Sequence, residues 1–145
     1  MKSYAVIAFA AVVASALAGS CIEEREEAQK RVDAGMLGVF VPECEDSGEW
    51  KALQCHASTG MCRCVHPTGE NLKNSSRVLE TCVCIVHRDR QMKKGLLGAA
   101  IPACEESGYY KKVQCHEARC SCADPTSGEL RGESRHISEL SQLEC

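Results

Sequence analysis

The cysteines constrain this chain more than any other feature. All 12 lie after residue 20, and their spacing divides them into two registers. Cys21, Cys44, Cys55, Cys62, Cys64 and Cys82 form the first; Cys84, Cys104, Cys115, Cys120, Cys122 and Cys145 repeat it in the same order, with only Val83 between the sets. Other residues follow the same register. Gly35-Met36-Leu37-Gly38 lies over Gly95-Leu96-Leu97-Gly98, Pro42-Glu43-Cys44 over Pro102-Ala103-Cys104, and Gln54-Cys55-His56 over Gln114-Cys115-His116. This is an internal duplication, one small module used twice, over residues 21–82 and 84–145. The one-residue junction predicts a stiff tandem.

Neither module carries enough apolar bulk to hold itself by burial. The whole chain has one Trp, three Tyr and two Phe, and a domain this small needs covalent closure. A disulfide closing a loop of about 24 residues contributes roughly 3 kcal/mol in the chain-entropy model. Such bonds persist in an oxidising compartment, and the N-terminus fits one. Met1-Lys2, the apolar run over residues 4–18 and then Gly19-Ser20 have the layout of a secretory signal peptide, assigned to residues 1–20 with cleavage between Ala18 and Cys21. The run is too short to span a bilayer comfortably. A net charge of −3, with Lys and Arg scattered among the acids, supplies no basic field for nucleic acid or an anionic membrane.

Each module opens on a helix signal. Glu23, Glu24, Glu26 and Glu27 sit near the positive end of a helix dipole and Lys30 and Arg31 near its negative end, before Gly35 stops the helix. Residues 88–94 repeat this less clearly ahead of Gly95. Asp46-Ser47-Gly48 and Glu106-Ser107-Gly108 are turns leading into short strands over residues 50–55 and 109–114. Second strands are expected at Cys62-Arg63-Cys64-Val65 and Cys120-Ser121-Cys122-Ala123, with the remainder as loop. The expected fold class is a small disulfide-rich α+β tandem, each module an N-terminal helix plus a short antiparallel β hairpin or sheet.

These residues resemble the thyroglobulin type-1 domain. The features that carry the resemblance are the helix after the first cysteine, Pro-x-Cys, Gly48-Glu49-Trp50 and Gly108-Tyr109-Tyr110 entering a strand, Gln-Cys, the Cys-x-Cys pairs, and Ser75-Ser76-Arg77 and Glu133-Ser134-Arg135 before the last cysteine. The departure is Arg63 and Ser121 where the family has a tryptophan between the two cysteines. Spacing alone selects no disulfide connectivity. The resemblance implies sequential pairing: Cys21–Cys44, Cys55–Cys62, Cys64–Cys82, Cys84–Cys104, Cys115–Cys120 and Cys122–Cys145.

Some members, the thyropins, inhibit papain-like cysteine proteases, and some act on aspartic proteases. They do so with a wedge of three loops set into the active-site cleft. By position the wedge here draws on Gly35, Met36, Leu37 and Gly38, then His56, Ala57, Ser58, Thr59 and Gly60, then residues 69–76. In module two the first stretch is Gly95, Leu96, Leu97 and Gly98. Taken side chain by side chain, apolar character slightly favours core positions for Leu37, Val39, Leu97 and Ile101, and exposure for Met36 and Leu96 beside their glycines. Module two's second loop is shorter by two residues and carries Glu117 and Arg119, so module one is the better fit to a papain-like cleft. Asn74-Ser75-Ser76 is an N-glycosylation sequon in the third stretch.

Enzyme chemistry is not expected. A Cys/His pair needs a free thiolate, and matched sets of six leave none. His56 and His116 therefore hold structural or contact positions. The Cys-x-Cys units are read as disulfide partners and not as a metal site. The expectation is a secreted, extracellular, monomeric inhibitor of papain-like cysteine proteases, with an aspartic protease as a further candidate partner and no cofactor, metal, nucleic acid or membrane. The alternative is a noninhibitory extracellular binding module or a venom component.

Overall fold

A computed structural model describes residues 20–145. The expected signal peptide and its cleavage site lie outside the described residues. In module one, helix α1 (Cys21–Asp33) is followed by strands β1 (Leu53–His56), β2 (Met61–Val65) and β3 (Asn71–Ser76). Module two repeats the series with α2 (Val83–Lys93), β4 (Val113–His116), β5 (Arg119–Ala123) and β6 (Leu130–His136), then adds a 3₁₀ segment, Ile137–Gln142. Each module holds one antiparallel three-stranded sheet with its strands in chain order. This is a disulfide-rich α+β tandem.

Helix α1 starts where local chemistry tells it to. The Ser20 hydroxyl accepts from the Glu23 backbone N–H, and the Glu23 carboxylate accepts in return from Ser20 N–H, a capping box that satisfies two donors the helix cannot. At the other end Met36 N–H reaches back to Arg31 C=O at 3.1 Å and Gly35 N–H to Val32 C=O at 2.8 Å, which closes the last turn. Helix α2 has no side-chain cap. Its Cys84 N–H donates instead to Gly108 C=O at 3.2 Å, so the partner turn of its own module completes it.

Six disulfides staple these elements. Cys21–Cys44 and Cys84–Cys104 fasten each helix to the segment before its sheet. Cys55–Cys62 and Cys115–Cys120 cross the first hairpin between directly opposed residues. Cys64–Cys82 and Cys122–Cys145 tie the middle strand to the end of the module. Each Cys-x-Cys therefore sends its two sulfurs to different partners.

The strands depart from the sequence expectation in two ways. β1 and β4 begin three and four residues later than residues 50 and 109, because Trp50 N–H and Tyr110 N–H are taken by Pro67 C=O and Pro125 C=O, and Lys51 and Lys111 donate to Glu43 C=O and Ala103 C=O. Those backbone groups pair with loops before they can join the ladder. The second departure is that β3 and β6 are strands where loop was expected. β6 is exposed over most of its length, and β3 is only partly exposed, with Leu72 against the shared core, but each carries a single apolar residue, so neither shows the apolar alternation that marks a strand in sequence.

The two modules share a core. Cys64, Leu79 and Cys82 of module one pack with Ile85 of α2, which is only 2% exposed, and Val86 and Cys104 join them from module two. Glu80 and Thr81 N–H both donate to Ser107 C=O, and the Lys73 ammonium donates to Glu106 C=O. His66 of module one lies 3.0 Å from the Asp89 carboxylate of α2. Gly108, at φ +95°, sits so close that a Cβ there would come within 1.7 Å of Thr81 O. A side chain at that turn would push the modules apart. A separate buried cluster in module one comprises Cys21, Trp50 and Val65, with Phe40 and Cys44 against it.

Candidate functional site

The loop after α1 and the turn between β1 and β2 meet at one edge of module one. Gly35 and Gly38 both take positive φ, +82° and +72°, and between them they throw residues 36 and 37 outward. Leu37 is 98% exposed and Met36 48%. The slight preference for Leu37 and Leu97 as core is corrected here, since both are fully solvent-exposed, and Ile101 is exposed as well. The physical reason is that Phe40, three residues further on, supplies the apolar contact from this loop to the Trp50 cluster, leaving Leu37 nothing to cover it. Val39 is half-buried.

His56 ends β1 and joins the two stretches. Its Nε2 lies 3.2 Å from Gly38 C=O. A carbonyl only accepts, so Nε2 carries the hydrogen. Nδ1 then accepts from the Ser58 hydroxyl at 3.0 Å. The turn itself is held by Thr59 and Gly60 N–H donating to His56 C=O, and by Met61 N–H donating to the Thr59 hydroxyl. Ala57, Ser58, Thr59 and Gly60 are all exposed.

Behind this edge lies a short stack of side chains. The Arg63 guanidinium lies 4.8 Å above the Phe40 ring, and that ring is 5.9 Å from the His56 ring. Arg63 thus covers Phe40 by a cation–π contact from the position between the two cysteines. The duplicated Gln-Cys-His marked His56 in the sequence. Nothing in the sequence pointed to Arg63 on Phe40, because residues 23 positions apart carry no spacing signal.

Module two assembles the same parts differently. Leu96 and Leu97 are exposed between Gly95 and Gly98, both again at positive φ. The turn between β4 and β5 is shorter, has no counterpart of Ser58, and places Glu117 at φ +53°, a left-handed conformation that favours glycine. Among the described residues His116 makes no hydrogen bond to the Gly95–Gly98 loop. The turn is fastened to β6 instead, with Arg119 Nε donating to the Ser134 hydroxyl at 2.8 Å and Nη2 to Ser134 C=O at 2.7 Å. Residues 69–76, expected as a third loop, are mostly β3, which lies beside β2. Asn74 belongs to that strand, and its side chain lies outside the described residues.

No free cysteine is present among the described residues, and no group of three or more His, Cys, Asp or Glu is placed to hold a metal ion. None of the described helices is long and apolar enough to cross a membrane. What the geometry offers is a disulfide-stapled scaffold with an exposed apolar tip and a polar turn beside it.

Fold and edge together define a class: paired disulfide-stapled modules that present short loops from a fixed frame. The family model for the thyroglobulin type-1 repeat matches residues 21–84 and again 84–143, and the chain belongs to that family. It is 35% identical over 126 residues to U20-hexatoxin-Hi1a of Hadronyche infensa, covering 85% of this chain and 87% of that protein. It is 25% identical over 167 residues to equistatin of Actinia equina, covering 97% of this chain and 70% of the relative. Thyroglobulin of Sus scrofa is 36% identical over 107 residues, 62% of this chain but only 4% of thyroglobulin, so the likeness there is to the module alone.

Proposed function

We propose that this protein is a secreted inhibitor of papain-like cysteine proteases of the cathepsin type, and that module one carries the inhibitory edge. The observation that carries this reading is the Met36-Leu37 tip, bare to solvent between two glycines and hydrogen-bonded through His56 to the neighbouring turn. A leucine left bare on a stapled loop has its whole apolar side chain still available to bury, and a hydrophobic subsite in a protease cleft would cover it. Burying one such side chain contributes roughly 1.5–3 kcal/mol. Because Cys21–Cys44 and Cys55–Cys62 fix both stretches in advance, little conformational entropy is lost on docking. The same stapling would protect the loops from cleavage, because a loop held in a fixed bend does not offer an extended peptide bond to the nucleophile.

The wedge residues are Gly35, Met36, Leu37, Gly38, His56, Ala57, Ser58, Thr59 and Gly60, with Gly95, Leu96, Leu97 and Gly98 as a weaker second edge. Residues 1–20 act as the signal peptide, the mature chain is an extracellular monomer, and it is not an enzyme. An aspartic protease is the secondary target. Asn74 is a candidate N-glycosylation site, and Asn74→Gln tests whether a glycan there hinders the wedge. A second reading, a noninhibitory component of a venom or other secretion, is favoured by the names of two relatives, U20-hexatoxin-Hi1a and U24-ctenitoxin-Pn1a. Titration of the oxidised protein against one cathepsin L-like and one cathepsin D-like enzyme separates them. The first reading requires tight inhibition of the L-like enzyme; inactivity against both at micromolar concentration supports the second.

A further inference from the structure

Most of the wedge is held by backbone and disulfides, but among the described residues one side chain crosses by a hydrogen bond from the hairpin turn to the Gly35–Gly38 loop. His56 donates from Nε2 to Gly38 C=O and accepts at Nδ1 from Ser58. Imidazole is the side chain that changes charge between about pH 5 and 8, the range that separates extracellular fluid from acidic compartments. A contact made by histidine is therefore usually lost at one end of it. The partners here tolerate both states. When Nδ1 gains a proton it becomes a donor, and the Ser58 hydroxyl, which is both donor and acceptor, rotates to accept. The Nε2–H to Gly38 C=O bond is unchanged by that step and gains charge assistance.

The surroundings allow it. His56 is half-buried and borders a small cavity of about 190 Å³ lined also by Phe40, Gln54, Thr59, Met61, Arg63 and Ser75. The charged group among these is Arg63, and its guanidinium is drawn over the Phe40 ring. Among the described residues, no carboxylate lines this cavity.

We propose that His56 is a positioning residue that locks the inhibitory tip to the hairpin turn in both charge states of its imidazole, and that this lock is what separates module one from module two. The inference rests on the inhibitory reading above. It adds a residue that acts through Gly38 and Ser58 and a property, inhibition carried unchanged from neutral to acidic solution. Module two lacks both halves: His116 makes no bond to its loop among the described residues, and the serine is missing.

The test uses the full oxidised chain and its His56→Ala, His56→Gln, Ser58→Ala and His116→Ala variants. Inhibition of a cathepsin L-like protease is measured at about pH 5.5 and about pH 7. Backbone ¹⁵N order parameters at Leu37 and Ser58 are measured without protease. The expected result is that His56→Ala weakens inhibition about tenfold at both pH values, the loss of one or two hydrogen bonds, and lowers both order parameters. Ser58→Ala gives a smaller loss. Glutamine, whose amide N–H can reach Gly38 C=O, restores inhibition to within about threefold of the parent, and His116→Ala changes nothing. Order parameters or inhibition unchanged in His56→Ala would overturn the lock, and so would parent inhibition that fades as histidine titrates while His56→Gln holds steady. If the parent does not inhibit at all, the inhibitory reading fails, while the order parameters still decide whether His56 fixes the tip.

Discussion

The two modules began as one sequence and now differ most at their exposed edges. In module one a four-residue turn places Ser58 against His56, and His56 reaches across to Gly38. In module two a shorter turn is bolted to β6 through Arg119, and its glycine-framed loop stands alone. Both keep an apolar tip and the same three staples. The comparison teaches that the scaffold was duplicated whole, whereas among the described residues the histidine link from hairpin turn to glycine-framed loop exists in only one copy.

Breaking the edges should separate the copies most sharply. Leu37→Asp replaces a fully exposed apolar side chain, so folding is unaffected, but it places a charge where a hydrophobic subsite is expected. Inhibition should weaken about a hundredfold or more, the loss of one buried leucine plus the cost of an unpaired charge. Leu97→Asp, at the matching place, should cost less than about threefold. Inhibition constants for both variants against a cathepsin L-like enzyme check this.

The joint supplies the next contrast. Gly108→Ala sets a methyl group against Thr81 O and forces the Ser107–Gly108 turn off Glu80 and Thr81. Stability should fall by about 2–4 kcal/mol. Gly48→Ala, at the same place in module one, meets only the flexible end of Ile22 at 3.3 Å and should cost about 1 kcal/mol, chiefly for its positive φ. Thermal unfolding by circular dichroism measures both, and equal losses would mean that the joint carries no special strain. A smaller effect comes from the helix starts. In a chain that still carries Ser20, Ser20→Ala removes the cap of α1 and should cost about 1 kcal/mol, a contribution that a chain cut after residue 20 lacks from the start; α2 has no equivalent site and is completed by Gly108 C=O.

The smallest difference lies in acid. Module two has Asp124 where module one has His66. The Thr126 hydroxyl, the backbone N–H groups of Ser127 and Thr126, and the Arg131 guanidinium hold its carboxyl well below the usual carboxylate range. Because the folded value lies below the unfolded one, the stabilisation is fully present above the ordinary value of 3.8 and is lost as pH falls from there through the lowered value. Asp124→Asn should therefore lower stability slightly at neutral pH and flatten the acid limb of an unfolding-versus-pH curve. An unchanged acid limb would contradict that account.

Much of this architecture is legible in the sequence because cysteine spacing is a covalent signal that local context cannot override. The duplication, the helix ended by Gly35 and the hairpin between Cys55 and Cys62 can all be read there. Strands β3 and β6 cannot, since a largely polar edge strand such as Asn71–Ser76 is defined by its neighbour's hydrogen bonds and not by an alternation of its own side chains. At the edge, glycine framing picked out the tip, but apolar character suggested core for Leu37, and only the position of Phe40 shows that the core is already filled. His56 was visible as a repeated Gln-Cys-His. Its link to Gly38 depends on how two loops fold back beside each other, a tertiary fact with no signature in the residues between.

Active-site titration of a cathepsin L-like protease with the oxidised full-length chain tests the central claim most directly. The account predicts complete inhibition at one equivalent of chain per enzyme, with the titration abolished by Leu37→Asp and unchanged by Leu97→Asp. Two enzymes bound per chain, equal sensitivity to the two substitutions, or no inhibition at micromolar concentration would contradict it.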